Sequence, residues 1–162
     1  MSIRYNADEV FEMAEQIERN GAKFYRRAAE LASDSSTSEM VLELAAMEDD
    51  HEKTFAEMRT DLSERERKPM VFDPDDELAL YLQAMADKHV FNVGEDPSDR
   101  LSGGQSRDDV LRMAIGLEKD SIVFYMGLKE LVPERLGQGR LDRIIQEEYG
   151  HINTLSAKMA QA

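Results

Sequence analysis

Glu48-Asp49-Asp50-His51 and Glu148-Tyr149-Gly150-His151 stand 100 residues apart in this chain, and much else keeps the same offset. Glu18 followed by Phe24-Tyr25 maps onto Glu118 followed by Phe124-Tyr125; Met13-Ala14 maps onto Met113-Ala114, and Asp8 and Val10 map onto Asp108 and Val110. The chain therefore carries two copies of one unit, each a Glu and then, thirty residues on, Glu-x-x-His. Two copies are too few for a solenoid, so the unit reads as a helical hairpin used twice.

The spacing of apolar residues supports this. Val10, Ala14, Ile17, Gly21, Phe24, Ala28 and Leu31 fall at alternating intervals of four and three, the seam of a bundle helix. Asn6 with Glu9 reads as a capping box at its start, and Ser33 to Thr37 as the turn that ends it. Ser36 with Glu39 reads as the next cap. The second seam is Val41, Leu44, Glu48, His51, Phe55, Met58 and Leu62, so Glu48 and His51 occupy core positions. An uncompensated carboxylate in a bundle core costs several kcal/mol, so it needs a partner or a metal. Ser106 with Asp109 opens the third helix (Val110, Ala114, Leu117, Ser121, Phe124, Leu128, Leu131), and Pro133 ends it. After Gly137-Gln138-Gly139 the fourth carries Leu141, Ile144, Glu148, His151, Leu155 and Lys158-Met159.

The expected fold is all-α: a single four-helix bundle of hairpins 6–62 and 106–161, joined by a crossover over 63–105. Asp75 to His89 reads as a short extra helix inside that crossover. A connection of this length lets the second and third helices lie parallel, which short loops forbid. With 162 residues and 41% hydrophobic content the chain can bury a core without staples. Its net charge of −14 argues against nucleic acid and anionic membrane surfaces as partners. The absence of cysteine excludes disulfides, iron–sulfur clusters and thiolate-bound zinc. No apolar run approaches membrane-spanning length, and the first residues hold no apolar leader, so a soluble cytoplasmic protein is expected.

Residues three apart on a helix point about 60° from one another, so Glu48 and His51 can grip one ion. For Glu18 to face them across an antiparallel pair, the turn must fall near residue 34; Asp34 is there. The same test in the second half asks for a turn near 134, beside Pro133. Packed with approximate two-fold symmetry, Glu18, Glu48, His51, Glu118, Glu148 and His151 converge. Imidazole with carboxylate suits iron, manganese or zinc. Two helices giving a Glu and two giving Glu-x-x-His is the ligand pattern of ferritin-like dinuclear carboxylate proteins.

The phrases Ala14-Glu15-Gln16-Ile17-Glu18 with Phe24-Tyr25, Glu48-x-x-His51, Gly116-Leu117-Glu118-Lys119-Asp120 with Phe124-Tyr125, and Ile145-Gln146-Glu147-Glu148-x-x-His151 cover both hairpins. Together they resemble the rubrerythrin branch of the ferritin-like superfamily, in its small members that consist of the helical domain alone. The resemblance implies two metal ions, iron first, with Glu18 and Glu118 as terminal ligands. Glu48 and Glu148 would bridge, and His51 and His151 would serve one ion each. It further implies reduction of peroxide or dioxygen, and a homodimer.

Two departures stand out. The extra carboxylate that rubrerythrins carry one turn beyond the third-helix Glu is here Ser121, with Gly21 as its first-helix counterpart. The six-ligand set is nearer to bacterioferritin-type ferroxidase centres. With no cysteine there is no rubredoxin domain, so electrons must come from a separate protein or from the substrate. Iron handling without turnover, and a structural bundle holding zinc or no metal, are the competing functions.

Other residues carry weaker readings. Tyr25 and Tyr125 lie about 20° around the helix from Glu18 and Glu118, placed to donate to a ligand carboxylate and, in the catalytic reading, to deliver protons. His89 reads as a structural hydrogen-bonder. Glu147, about 100° from Glu148, is read as solvated or hydrogen-bonded behind the site. The ten Met residues read as core filler, and Arg65-Glu66-Arg67-Lys68 as a solvated loop.

Overall fold

A computed structural model describes residues 6–68, 95–132 and 134–161. The four expected helices are present: α1 (Ala7–Leu31), α2 (Ser35–Thr60), α3 (Arg107–Leu131) and α4 (Gln138–Met159), with 3₁₀ turns η1 (Pro97–Arg100) and η2 (Glu134–Leu136). The expected crossover helix with His89, and Pro133, lie outside the described residues.

Local chemistry sets the helix ends. Asn6 and Glu9 form the reciprocal box expected of them, each side chain accepting at 2.9 Å from the other's backbone N–H. Ser106 and Asp109 do the same for α3. At α2 the expected Ser36–Glu39 box gives way to Asp34, whose carboxylate accepts from both the N–H and the hydroxyl of Thr37, each at 2.8 Å. A carboxylate with two donors is the stronger acceptor, and its charge suits a helix N-terminus. α4 has no side-chain cap; it starts from Gly137 at φ +84°, a left-handed conformation that favours glycine.

Hydrogen bonds across the bundle fix the helix directions. Tyr25 donates to Glu118 and Tyr125 donates to Glu18, so residues run in opposite senses along α1 and α3. Because α2 runs antiparallel to α1, it lies parallel to α3. The long crossover makes this arrangement possible. Every position of the expected α2 seam is buried, Glu48 and His51 included.

Among the described residues the interior forms two apolar clusters. One gathers Phe11, Phe55, Met58, Tyr125, Leu128 and Ile145 where α1 begins; the other gathers Phe24, Tyr25, Val41, Leu111 and Leu155, joined by Leu101 from the crossover. The ionisable residues lie between them. On the outside, Arg59 binds Asp8 at 2.9 Å and Arg19 binds Glu52 at 2.8 Å. The tetrad Arg65-Glu66-Arg67-Lys68 is less solvated than expected: Arg67 pairs with Asp8 and donates to the carbonyl of Arg59, and Glu66 pairs with Arg135. Met58 is core as expected, but Met47 and Met126 are exposed. Among the described residues no helix is long and apolar enough to cross a membrane.

Candidate metal centre

All six residues singled out by the duplication meet at mid-bundle, each no more than 4% exposed. They form two overlapping quartets, Glu18-Glu48-His51-Glu148 and Glu48-Glu118-Glu148-His151. Within each quartet one donor atom per residue lies within 4.8 Å of the others. Glu48 and Glu148 belong to both quartets and so lie where the two join. These six side chains come from four helices, each contributing through the i, i+3 spacing or through a single inward Glu.

The atoms facing the centre lack hydrogen bonds. Glu18 Oε2, Glu48 Oε1, both Glu148 oxygens and the Nδ1 atoms of His51 and His151 are buried without such a partner among the described residues. The Nδ1 of His51 lies 3.2 Å from Glu148 Oε1, and that of His151 lies 3.0 Å from Glu148 Oε2. These approaches are close in charge but not aligned as hydrogen bonds. Buried polar groups are normally satisfied, so a set of inward-facing orphan atoms of this kind fits a divalent cation. The two imidazole rings lie nearly parallel, with centroids 5.8 Å apart.

The electrostatics divide the carboxyls into two pairs. Burial, and then the charge of Glu48, pushes Glu18 well above the usual carboxylate range. Burial and then the charge of Glu148 does the same for Glu118. Burial also opposes ionisation of Glu48 and Glu148, but contacts with their neighbouring carboxyls and both rings outweigh it and lower both. Burial opposes charging of the rings as well. It is outweighed by the carboxylates around them, which raise His51 and push His151 up to about 12. Two divalent ions with four carboxylates and two neutral rings would sum to zero charge in this buried space.

Tyr25 and Tyr125 donate as expected to inner carboxyls, but crosswise: each reaches the Glu of the opposite hairpin. Burial, then the charge of that Glu, pushes both phenols up, so they remain donors. Ser121, at the position of the extra carboxylate, turns back to donate to the Leu117 carbonyl at 3.0 Å. Beside it a small cavity of about 50 Å³ reaches the site between α1 and α3, lined by Gly21, Tyr25, Glu48, Glu118 and Ser121. A Cβ on Gly21 would sit 3.4 Å from Glu48 Cγ, so glycine keeps this side of the shared carboxylate open.

One contact lies beyond what helical periodicity reveals. Glu147 Oε2 sits 2.8 Å from His51 Nε2, and its other oxygen accepts from Arg143 Nε at 3.1 Å. Burial alone would raise Glu147, but His51 and Arg143 outweigh it and lower it. The sequence places Glu147 off the inner face of α4, and only the packing of α2 beside it shows what it meets.

The fold defines the class. The chain matches a crystal structure from Thermotoga maritima, described as a candidate ferritin-like diiron-carboxylate protein, with a TM-score of 0.77 over 98% of this chain and 97% of that one. Identity is 24%, and the likeness establishes a ferritin-like fold. No protein-family model matches the chain, and no curated protein matches it in sequence.

Proposed function

We propose that this chain is a dinuclear non-haem iron protein of rubrerythrin-like type that reduces peroxide or dioxygen. The observation that carries the reading is the pair of buried quartets sharing Glu48 and Glu148. Glu18, Glu48, His51 and Glu148 would hold one ion, and Glu118, Glu148, Glu48 and His151 the other. Carboxylate with imidazole suits iron, and manganese and zinc are the competing occupants. Two ferrous ions held side by side can supply two electrons to an O–O bond without releasing a radical.

The protein's own groups have definite tasks. Glu48 and Glu148 adjust as the charge between them changes. The cavity beside Gly21 and Ser121 admits a molecule of only a few heavy atoms, a size that suits peroxide or dioxygen. Tyr25 and Tyr125 hold protons at the inner oxygens of Glu118 and Glu18, from which they can be passed inward. A Phe at either position that leaves turnover unchanged would remove this role. With no cysteine in the chain, a separate donor protein or the substrate supplies electrons.

The vacant place of the extra carboxylate favours one second reading, ferrous-ion oxidation or iron handling without turnover. Both are tested together. Protein purified without air is assayed for metal, then given peroxide and ferrous iron separately while absorbance is followed. Catalytic consumption of peroxide supports the first reading and stoichiometric uptake of iron the second. Protein that holds zinc and answers to neither is a structural bundle.

A further inference from the structure

The two quartets have the same ligands but not the same surroundings. Behind His51, Glu147 faces Nε2 at 2.8 Å. A carboxylate only accepts, so Nε2 carries the hydrogen and Nδ1 is left to present its lone pair to the centre whenever the ring is neutral. The ring is fixed in orientation as well as in tautomer, and a carboxylate behind a ligating imidazole raises its strength as a donor. Arg143 in turn holds Glu147 at 3.1 Å.

His151 has no such support. Its Nε2 is buried and has no hydrogen-bond partner among the described residues. The 100-residue offset puts Met47 where Glu147 stands in the other half. A thioether is a weak acceptor, and Met47 is partly exposed, at 37%. The duplication therefore copied the inner ligands and left one of two outer supports missing.

From this we infer that the two ion positions are unequal: Glu147 is a positioning residue that makes the quartet with His51 fill first, and the quartet with His151 holds its ion more weakly and exchanges it. The inference rests on the reading of the six residues as a metal centre, and it adds which half governs loading and which ion is lost first.

Metal-free full-length protein titrated with cobalt(II) under argon, followed by its visible d–d bands and by calorimetry, tests this. Wild type is expected to bind two ions in resolved steps. Glu147→Met makes the halves alike and should weaken the first step by roughly 10- to 100-fold, the usual effect of losing such a partner, bringing the steps together. Glu147→Gln, which keeps an acceptor, should recover part of the separation. Met47→Glu should tighten the second step and leave the first where it was. Steps that stay equally far apart in Glu147→Met would overturn the inference while leaving the metal centre standing. Failure of wild type to bind cobalt would remove the metal-centre reading itself.

Discussion

The two ends of the bundle are images of each other under the 100-residue offset, yet they are packed differently. Where α1 begins, Phe11, Phe55, Met58, Leu128 and Ile145 fill the interior; their images at the other end are Leu111, Leu155, Lys158, Ala28 and Ala45. Phe55 lies against the Tyr125 ring with centroids 4.9 Å apart, whereas Leu155 has no aromatic ring to offer Tyr25. The thinner end adjoins a cavity of about 270 Å³ lined by Ala28, Leu31, Val41, Gly103 and Leu111. Its Lys158 is anchored by Ser36 Oγ at 2.7 Å. The difference teaches that the six central residues form a symmetric inner ring, while the apolar volume supporting that ring is unevenly shared. Stability should be concentrated at the first end, and local opening should begin at the second.

The largest effect that could break this comparison is Phe55→Ala, expected to lose about 3–5 kcal/mol in urea unfolding of metal-free protein. Leu155→Ala should lose about 2–3 kcal/mol, the low end for such a change, because the cluster around it is already less full. Equal losses would mean that the two ends support the bundle alike.

Tyr125→Phe and Tyr25→Phe each remove one hydroxyl and strand a buried carboxyl oxygen, a loss of about 1–3 kcal/mol by the same measurement. The crossed pairing predicts near-identical values, since Glu18 and Glu118 are equally buried. A twofold difference would show that packing around the rings, not the hydroxyl contact, sets the value.

Ala28→Val adds volume at the open end and should raise stability by about 0.5–1 kcal/mol, as cavity-filling changes commonly do. A fall in melting temperature would show that this end is closed in solution.

The smallest expected effect concerns acid. Arg59, by hydrogen bonding first and charge second, and then Arg67, hold Asp8 below its usual range despite some desolvation. A carboxyl lowered in the folded state stabilises above its ordinary pKa, and that contribution disappears as pH falls through the folded value. Stability should therefore drop below about pH 4 by no more than about 1 kcal/mol from this source, given solvent screening. Asp8→Asn should remove that part of the drop, and Asp108→Asn, at the image position beside Arg107, should change less.

The sequence revealed whatever depends on one helix at a time. Glu48 and His51 on an apolar seam, Asn6 and Ser106 as caps, and a turn at Asp34 all follow from spacing and side-chain chemistry. The convergence of the six residues was legible because the offset doubled a weak signal. Two caps competed for α2, and the local pattern does not say that Asp34 could bind Thr37 twice. The contact of Glu147 with His51 joins residues 96 positions apart on different helices, and no periodicity encodes it. The unequal ends are written in the same residue pairs, but their meaning appears only once it is known which residues share a cluster.

The two apolar clusters on either side of the central residues have a consequence for the order of assembly. Packing at the ends does not run through the six ionisable side chains, so the helices can close before an ion arrives, and a chelator added to metal-loaded protein should strip the centre without melting the helices.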